Sequence, residues 1–221
     1  MNTDTINDKF EIEPKSIGIG GKKLELLTVA DLEPFLSEIE EKGDETLSSF
    51  PFWVKIWEAA IVLTDHLVHQ DLDTNLSVLE VGAGMGITGL FLGAFGHRVT
   101  VTDYNDDALA LLQKNVDHNQ LSTVTIEKLD WHNPEIEGKY DIVCGAELIY
   151  KESDVAPVVN LLKTCVKPGG TVYMAHDIRR MSMIEFLKAA EKDFDIQHAG
   201  KSFTGKDQNQ KIVLHTLQLK G

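Results

Sequence analysis

Three glycines at every second position follow a short apolar run and could hold a nucleotide-like ligand. Residues 78–86 read Val-Leu-Glu-Val-Gly-Ala-Gly-Met-Gly, and Glu80 is the one acidic residue of the run. Glycine is needed where a backbone turns with positive φ, or where a ligand lies against it without interference from a Cβ. A helix is predicted to begin near Ile87, and its free N–H groups favour anionic or electron-rich groups. The alternative is a turn whose glycines serve only packing.

Side chains able to recognise a sugar and a base follow the next two predicted strands. Asp103 closes the second strand pattern, 21 residues past Gly82, where its carboxylate can accept both hydroxyl hydrogens of a ribose. It could instead cap the helix that follows. Asp130 and Trp131 come after the third strand and offer a carboxylate for an adenine amino group and an aromatic face for its ring. Trp131 could instead fill the core.

The glycines alone do not identify the ligand, because residues 84–89 also fit the dinucleotide fingerprint G-x-G-x-x-G. In that fingerprint the first glycine closes the turn directly after the strand. Here Gly82 occupies that place, and the sixth position counted from it is Ile87. A nicotinamide oxidoreductase is therefore the less favoured alternative.

The elements that must position these residues alternate between strand and helix from residue 57 onward. Strands are predicted at residues 77–81, 97–102, 124–129, 140–146 and 171–175. Helices are predicted at residues 57–69, 87–95, 105–118, 155–162 and 181–192, and Pro168-Gly169-Gly170 is expected to end the fourth. The runs 195–202 and 211–219 read as a hairpin. The predicted fold class is therefore α/β, a mostly parallel sheet with helices on both faces and an antiparallel strand in the C-terminal hairpin.

Residues 1–49 are predicted to form a small accessory element ahead of a domain over residues 50–221. Within it, residues 10–12 and 22–29 look like strands and residues 31–39 like a short helix. The first 50 residues carry 12 acidic and five basic side chains, half of the excess negative charge of the chain. A basic partner could be steered there, although an ordinary acidic surface explains the charge equally well.

Composition sets bounds on partners and location. The 221 residues are 43% hydrophobic, enough for one substantial core, and 35 acidic against 21 basic residues give a formal charge of −14. Such a charge repels a phosphate backbone, so nucleic acid is not an expected partner. No stretch approaches the roughly 20 apolar residues that span a bilayer, and the start lacks a secretory signal. We therefore expect a cytoplasmic protein without a membrane partner; the sequence leaves its oligomeric state open, with a monomer as the default.

The two cysteines do not suggest a disulfide or a metal centre. Cys144 lies inside an apolar strand pattern and Cys165 at the end of a helix pattern, so both are predicted to be buried thiols. His66 and His69 have a spacing compatible with a metal pair, but no further set of ligands completes a site beside them. No metal site is expected.

Several of these segments together resemble methyltransferase family 16, the group that contains many seven-stranded protein-lysine methyltransferases. Glu80-x-Gly82-x-Gly84-x-Gly86 is similar to motif I of class I S-adenosylmethionine-dependent methyltransferases. The resemblance covers about residues 50–176 and also rests on Pro51-Phe52-Trp53 with Trp57, Asp103, Asp130-Trp131, and Ala146-Glu147-Leu148-Ile149-Tyr150. It implies a Rossmann-like seven-stranded methyltransferase sheet of order 3-2-1-4-5-7-6, and S-adenosyl-L-methionine as the cofactor.

The resemblance also implies which residues contact the cofactor. Carried over position by position, these are Trp57, Gly82, Ala83, Gly84, Asp103, Trp131 and Ala146, and Glu80 would help to fix the loop and the methionine moiety. The reasoning on the adenine amino group adds Asp130. One departure concerns the family signature Asp-x-x-Tyr, which here reads Glu147-Leu148-Ile149-Tyr150. The extra methylene can shift the carboxylate and so leaves the substrate less determined than the cofactor.

Glu147 and Tyr150 are the predicted catalytic residues. A lysine has a free pKa of about 10.4, so its ammonium must lose a proton before it can attack. Glu147 would attract the ammonium and orient the amine, and the Tyr150 hydroxyl could accept a hydrogen bond from it while the ring faces a sulfonium. Glu147 could instead pair with Lys151 on a helical turn, and Tyr150 could be an ordinary tyrosine at a strand end.

The sequence therefore predicts an S-adenosylmethionine-dependent N-methyltransferase that transfers a methyl group to a lysine side chain of a protein substrate. Two alternatives stay open. One is a methyltransferase of the same fold that acts on a small amine, with the N-terminal element as a lid. The other is a cofactor-binding interaction module without turnover.

Overall fold

A computed structural model describes residues 5–31, 51–204 and 209–221 of the chain. Its strands are β1 (Ile12–Ile19), β2 (Lys22–Val29), β3 (Ser77–Glu80), β4 (Arg98–Asp103), β5 (Val124–Lys128), β6 (Tyr140–Ala146), β7 (Val166–Asp177), β8 (Phe194–Thr204) and β9 (Asn209–Leu219). Its helices are α1 (Thr5–Lys9), α2 (Glu58–Val68), α3 (Ile87–Ala94), α4 (Asp106–His118), α5 (Val155–Cys165) and α6 (Ser182–Ala190). Short 3₁₀ turns lie at Phe52–Val54 and Glu152–Asp154. Within these ranges, no helix is long and apolar enough to cross a membrane.

Seven strands form the main sheet in the order β5-β4-β3-β6-β7-β9-β8. Neighbours from β5 to β7 pair in parallel, whereas β9 runs antiparallel to both β7 and β8. Numbered within the sheet alone, this order is 3-2-1-4-5-7-6. The predicted α/β fold class and its antiparallel C-terminal hairpin strand are confirmed.

Helices cover both faces of this sheet, because successive side chains along each strand point to opposite sides. In β3, Val78 packs in an apolar cluster with α2, α3 and α4, whereas Leu79 packs with α5 and α6. In β6, Cys144 and Val143 divide between the same two clusters. Burial on both faces explains why these strands read as continuous apolar runs. Cys144 and Cys165 are buried free thiols, as predicted.

The N-terminal strands form a separate antiparallel hairpin that packs on α4. The main chain of Leu27 exchanges two hydrogen bonds with the side-chain amide of Asn115, at 2.7 and 3.1 Å. Glu25 makes a similar pair with the amide of Asn119, at 3.0 and 2.9 Å. One asparagine in α4 and one that follows its last residue therefore satisfy backbone groups on the edge of β2, as a further strand would.

The structure corrects two details of the predicted elements. The first strand runs from Ile12 to Ile19 instead of over residues 10–12. Residues 168–170 lie inside β7, in a bulge where its pairing register with β6 shifts, and α5 has already ended at Cys165. The predicted helix over residues 31–39, apart from Asp31, and the predicted boundary at residue 49 fall outside the described residues.

Three histidines on β7, β8 and β9 form a hydrogen-bonded chain. Nδ1 of His176 lies 2.7 Å from the carbonyl oxygen of Asp177, so this nitrogen carries the hydrogen. Its Nε2 then accepts from Nε2 of His215 at 2.8 Å, and Nδ1 of His215 accepts from Nδ1 of His198 at 2.6 Å. One carbonyl group therefore fixes which ring nitrogens donate and which accept along the chain.

This chain predicts a dependence of stability on pH. Burial, together with the neighbouring His176 and His198, lowers the pKa of His215 to about 3. In the unfolded chain, His215 is protonated as the pH falls below about 6.5, whereas in the folded chain it stays neutral until near pH 3. The free energy of unfolding therefore decreases as the pH falls through this window. Urea denaturation at pH 7 to 4 should therefore show a shallower loss of unfolding free energy for His215→Asn than for the wild type, by up to about 1.4 kcal/mol per pH unit.

The exposed His69 provides the control for this experiment. His69→Asn should keep the pH dependence of the wild type. Equal slopes for all three proteins would contradict the role given to His215.

Candidate functional site

A cavity of about 660 Å³ opens at the carboxyl ends of β3, β4 and β6, where the strand order reverses. All the residues proposed from the sequence for the cofactor or for catalysis line it: Trp57, Glu80, Gly82, Ala83, Gly84, Asp103, Asp130, Trp131, Ala146, Glu147 and Tyr150. The structure therefore brings the whole predicted set together. The roles of the individual residues stay predictions.

The glycine turn between β3 and α3 brings main chain to the surface of the cavity. Gly82 and Gly84 have φ angles of +58° and +53°, which side-chain-bearing residues rarely adopt. A Cβ on Gly82 would lie 2.8 Å from Leu148 and 3.1 Å from the Trp131 ring, and one on Gly84 would lie 3.2 Å from the carbonyl oxygen of Trp53. Conformation and close approach thus both require glycine here.

Asp103 holds two backbone segments at once. Its Oδ2 accepts the N–H of Gly84 and its Oδ1 the N–H of Asn105, both at 2.9 Å. Asn105 in turn caps α4 by accepting the N–H groups of Asp107 and Ala108, so the cap of that helix is the asparagine. Burial raises the pKa of Asp103, although these N–H groups lower it in part. Each carboxylate oxygen keeps a lone pair, so the side chain can still accept two hydroxyl hydrogens.

Glu80 lies beneath the turn and fixes the start of α3. The N–H of Gly89 donates to its Oε2 at 2.8 Å. Burial raises the pKa of Glu80 to about 7, against the opposing effect of hydrogen bonds from Gly89 and Thr88. Glu80 thus contacts the helix that follows the turn, and its predicted role toward the methionine moiety of the cofactor stays a prediction.

Aromatic side chains form the walls of the cavity. The indole N–H of Trp57 donates to the carbonyl oxygen of Phe52 at 3.0 Å, and the ammonium of Lys55 lies 4.4 Å from the centre of a Trp57 ring. Phe52 and Tyr150 have ring centroids 5.1 Å apart. Trp131 is half-buried; it packs on the core and also lines the cavity. Its position therefore fits both alternatives considered from the sequence, a ring that fills the core and a ring exposed to a ligand.

Trp57 and Asp130 also have local structural functions. Trp57 is the N-cap residue of α2, which begins at Glu58, one residue later than predicted. Asp130 is exposed, and its Oδ1 accepts the N–H of His132 at 2.9 Å.

Glu147 lies at the end of β6 with a φ angle of +54°, and its side chain is only 3% exposed. Its Oε1 accepts the N–H of Asp177 at 2.6 Å. Its Oε2 accepts from Nε of Arg180 at 2.8 Å and lies 2.7 Å from Nη2 of the same guanidinium. Among the described residues, the ion-pair partner of Glu147 is thus Arg180 instead of the Lys151 considered from the sequence.

Tyr150 is held beside this ion pair. The guanidinium carbon of Arg180 lies 4.9 Å from the centre of the Tyr150 ring. Burial raises the pKa of Tyr150 well above its usual value, so the phenol keeps its proton at neutral pH. The hydroxyl can donate or accept a hydrogen bond but is a poor base.

Sequence reasoning missed two residues at this site. Tyr104 lines the cavity with 59% of its surface exposed, and its position directly after Asp103 was the available signal. Arg180 lies 33 residues from Glu147 along the chain, and no local pattern connects the two.

Substitution of the turn glycines should weaken cofactor binding. Gly82→Ala and Gly84→Ala each add a Cβ at a positive φ, against the Leu148 and Trp131 side chains in the first case and the Trp53 main chain in the second, so we expect the turn to move. We expect the affinity for S-adenosylhomocysteine, measured by calorimetry, to fall by about tenfold or more, which corresponds to about 1.4 kcal/mol. Gly200→Ala has open space around its Cβ and should bind like the wild type. Unchanged affinity in both turn variants would contradict this reading of the turn.

Replacement of Glu80 should change stability in a pH-dependent way. The unfolded glutamate loses its proton near its ordinary pKa of 4.5 and the folded one near 7, so the folded chain loses relative stability as the pH rises through this window. Glu80→Gln removes the buried charge and keeps an oxygen for Gly89, while its amide nitrogen faces the donors of Thr88. Relative to the wild type, we expect its unfolding free energy, measured by denaturant titration, to be about 1–3 kcal/mol higher at pH 8 than at pH 4.5.

The unfolding free energy of Glu80→Gln relative to the wild type should fall toward pH 4.5, the ordinary pKa of the glutamate. Glu127→Gln, which changes an exposed carboxylate on β5, should shift stability little at either pH. A constant difference across the pH range would rule out ionisation of Glu80 as its cause.

Comparison with known proteins places the chain in a family. Residues 39–193 match the family model described as lysine methyltransferase. Mouse EEF1A lysine methyltransferase 3 is 33% identical over 130 residues, which cover 57% of this chain and 56% of that protein. The protein N-lysine methyltransferase METTL21A of Xenopus tropicalis is 29% identical over 147 residues, which cover 64% of this chain and 68% of that protein. The chain thus spans a little over half of the first relative.

Solved structures share the fold. The glycopeptide N-methyltransferase MtfA, complexed with S-adenosyl-L-homocysteine, superposes with a TM-score of 0.63 at 12% sequence identity. The superposition covers 87% of this chain and 100% of the MtfA chain. The ribosomal protein L11 methylase of Lactobacillus delbrueckii subsp. bulgaricus has a TM-score of 0.55 at 19% identity, over 74% of this chain and 77% of its own. At these identities the likeness concerns the fold, and it confirms the predicted seven-stranded methyltransferase sheet.

The family match covers most of the chain, including every residue of the cavity named above. It confirms the family predicted from the sequence and, with it, S-adenosyl-L-methionine as the cofactor. The chain belongs to methyltransferase family 16, the lysine methyltransferases.

Proposed function

We propose that this protein is an S-adenosylmethionine-dependent N-methyltransferase that methylates a lysine side chain of a protein substrate. The observation that carries the proposal is the convergence of the glycine turn, Asp103, Trp131 and Tyr150 on one cavity, in a chain of this family. The names of the relatives, which specify lysine in protein substrates, support the same substrate class.

The residues of the cavity fit an adenosyl sulfonium. The turn at Gly82 and Gly84 leaves no Cβ between main chain and ligand, and Asp103 keeps lone pairs for the ribose hydroxyls. Trp131 and the exposed Tyr104 offer rings for the adenine. The volume of about 660 Å³ lies within the range of about 300–1,000 Å³ that is usual for small-molecule sites. When bound, the cofactor supplies a methyl group on a positively charged sulfur.

The protein's own contribution is alignment of the acceptor amine. Tyr150 keeps its proton, so its hydroxyl and ring can position the amine without acting as the base. Glu147 is already held by Asp177 and Arg180, so it orients the end of β6 while its charge is largely compensated. With neither side chain suited to accept the proton of the ammonium, we propose that water removes it.

Partner and location belong to the same proposal. A protein substrate with an accessible lysine is favoured over a small amine by the relatives, and the acidic first 50 residues would help to dock a basic partner. We further propose a cytoplasmic location and a monomer, on the sequence argument alone.

Transfer of a labelled methyl group tests the function. Incubation of the protein with labelled S-adenosylmethionine and cell extract should place label in protein bands, and mass spectrometry should locate it on lysine. Asp103→Asn puts an amide where two backbone N–H groups need acceptors, so we expect at least about a tenfold loss of transfer. Asp195→Asn, an exposed change on β8, should transfer like the wild type.

Other results would favour the alternatives. Label only in products of low mass would favour a small amine as the acceptor. Tight binding of S-adenosylhomocysteine without transfer to any fraction would favour a binding module, and the proposed function would then be wrong.

A further inference from the structure

A single cation outside the cavity lining contacts both predicted catalytic side chains. Arg180 lies two residues before the start of α6 at Ser182 and does not itself line the cavity. Its Nε and Nη2 lie 2.8 and 2.7 Å from one oxygen of Glu147, and its guanidinium carbon lies 4.9 Å from the centre of the Tyr150 ring. One planar group thus fixes the positions of two side chains that lie three residues apart.

Burial makes Glu147 dependent on this partner. The Glu147 side chain is 3% exposed, whereas that of Arg180 is 25% exposed. A carboxylate that water hardly reaches is strongly disfavoured unless a cation and hydrogen-bond donors compensate it. The N–H of Asp177 serves one oxygen, and Arg180 serves the other with two N–H groups.

Further bonds join the same two segments. The Ser182 hydroxyl donates to the carbonyl oxygen of Ile149 at 2.6 Å, and the N–H of Glu147 donates to the carbonyl oxygen of Ala175 at 2.9 Å. Residues 147–150 are therefore held against residues 175–182 at several points. Within this arrangement Arg180 bridges the two residues, because it contacts the Glu147 carboxylate and the Tyr150 ring.

A substrate ammonium is a weak competitor for this carboxylate. The guanidinium presents coplanar N–H groups and belongs to the same chain, whereas an incoming lysine offers a point charge with a large hydration shell. Arg180 should therefore stay in place while the substrate binds, and its effect on the reaction must pass through Glu147 and Tyr150.

We propose that Arg180 is a positioning residue of the methyl transfer, which holds Glu147 and Tyr150 in the orientation that the acceptor amine requires. The inference rests on the proposed methyltransferase function. The turn before α6 then acts on the part of the cavity that is predicted to hold the acceptor amine, beside Glu147 and Tyr150. Among the described residues, the Arg180 side chain contacts Glu147 and Tyr150 and does not line the cavity, so we expect the affinity for the cofactor to depend little on it.

The test compares Arg180→Met, Arg180→Lys and the matched control Arg179→Met. Arg179 is 71% exposed and pairs with the Asp177 carboxylate, so its loss leaves Glu147 and Tyr150 in place. The rate of labelled transfer to cell-extract proteins is measured over a range of S-adenosylmethionine concentrations and over an extract dilution series. Calorimetry with S-adenosylhomocysteine and a thermal melt report separately on the cofactor site and on folding.

We expect Arg180→Met to transfer at least about tenfold more slowly at saturating cofactor, while the half-saturating cofactor concentration and the affinity for S-adenosylhomocysteine change by less than about threefold. Arg180→Lys, which keeps the charge without the planar pair of N–H groups, should recover part of the rate. Arg179→Met should stay within about twofold of the wild type. A purely structural function would instead lower rate and cofactor affinity together.

Several results would overturn the inference. Wild-type rates in Arg180→Met would do so, as would faster transfer by this variant at low extract concentration, which would make Arg180 a competitor of the substrate. Should Arg180→Met fail to fold, a wild-type rate in Arg180→Lys would be decisive against it. Absence of transfer by the wild type itself would instead refute the proposed function, so the two failures are distinguishable.

Discussion

The hydrogen bond from the Gly84 N–H to the Asp103 carboxylate determines where the other parts of the site can lie. It ties the turn after β3 to the end of β4, and the other oxygen of Asp103 fixes the start of α4 through Asn105. The adjacent bond from the Ala83 N–H to the carbonyl oxygen of Thr102 holds the same turn at 2.9 Å. A buried carboxylate is unfavourable in itself, and here the N–H groups of two loops compensate it.

The two halves of the cavity are built from different groups. The half predicted to hold the cofactor is formed by main chain at positive φ, as at Gly82, and by carboxylates that accept backbone N–H groups, as at Glu80. The half predicted to hold the acceptor depends on side chains, with the ion pair of Glu147 and Arg180 beside Tyr150. A turn at positive φ can be recognised in a sequence from the spacing of its glycines, whereas an ion pair between residues distant along the chain cannot be recognised from any local pattern. This difference explains why the cofactor was easier to identify than the substrate.

Much of the fold could be predicted because its signals are local. Apolar runs, Asn105 as a cap and the polar loop of the last hairpin each report on neighbours in sequence, while the strand order came from the family resemblance. Asp103 and Asp130 were predicted from their positions after parallel strands, whose carboxyl ends lie at one edge of the sheet, whereas Trp57, Ala83 and Ala146 came from the family resemblance. The bulge at residues 168–170 was missed, since glycine and proline also end helices. Arg180 was missed because its partners are distant in sequence.

Glu147 is subject to two opposing demands, one from its main chain and one from its carboxylate. Its left-handed backbone, with φ of +54°, is a conformation that aspartate tolerates better than glutamate. Its carboxylate, however, reaches across to the Asp177 N–H and the Arg180 guanidinium, and the longer side chain supplies that reach. A shorter acid would relax the main chain and loosen the contact with β7 and α6. The acid at this position is therefore a compromise between local geometry and tertiary contact, and its length and the arginine opposite form a matched pair.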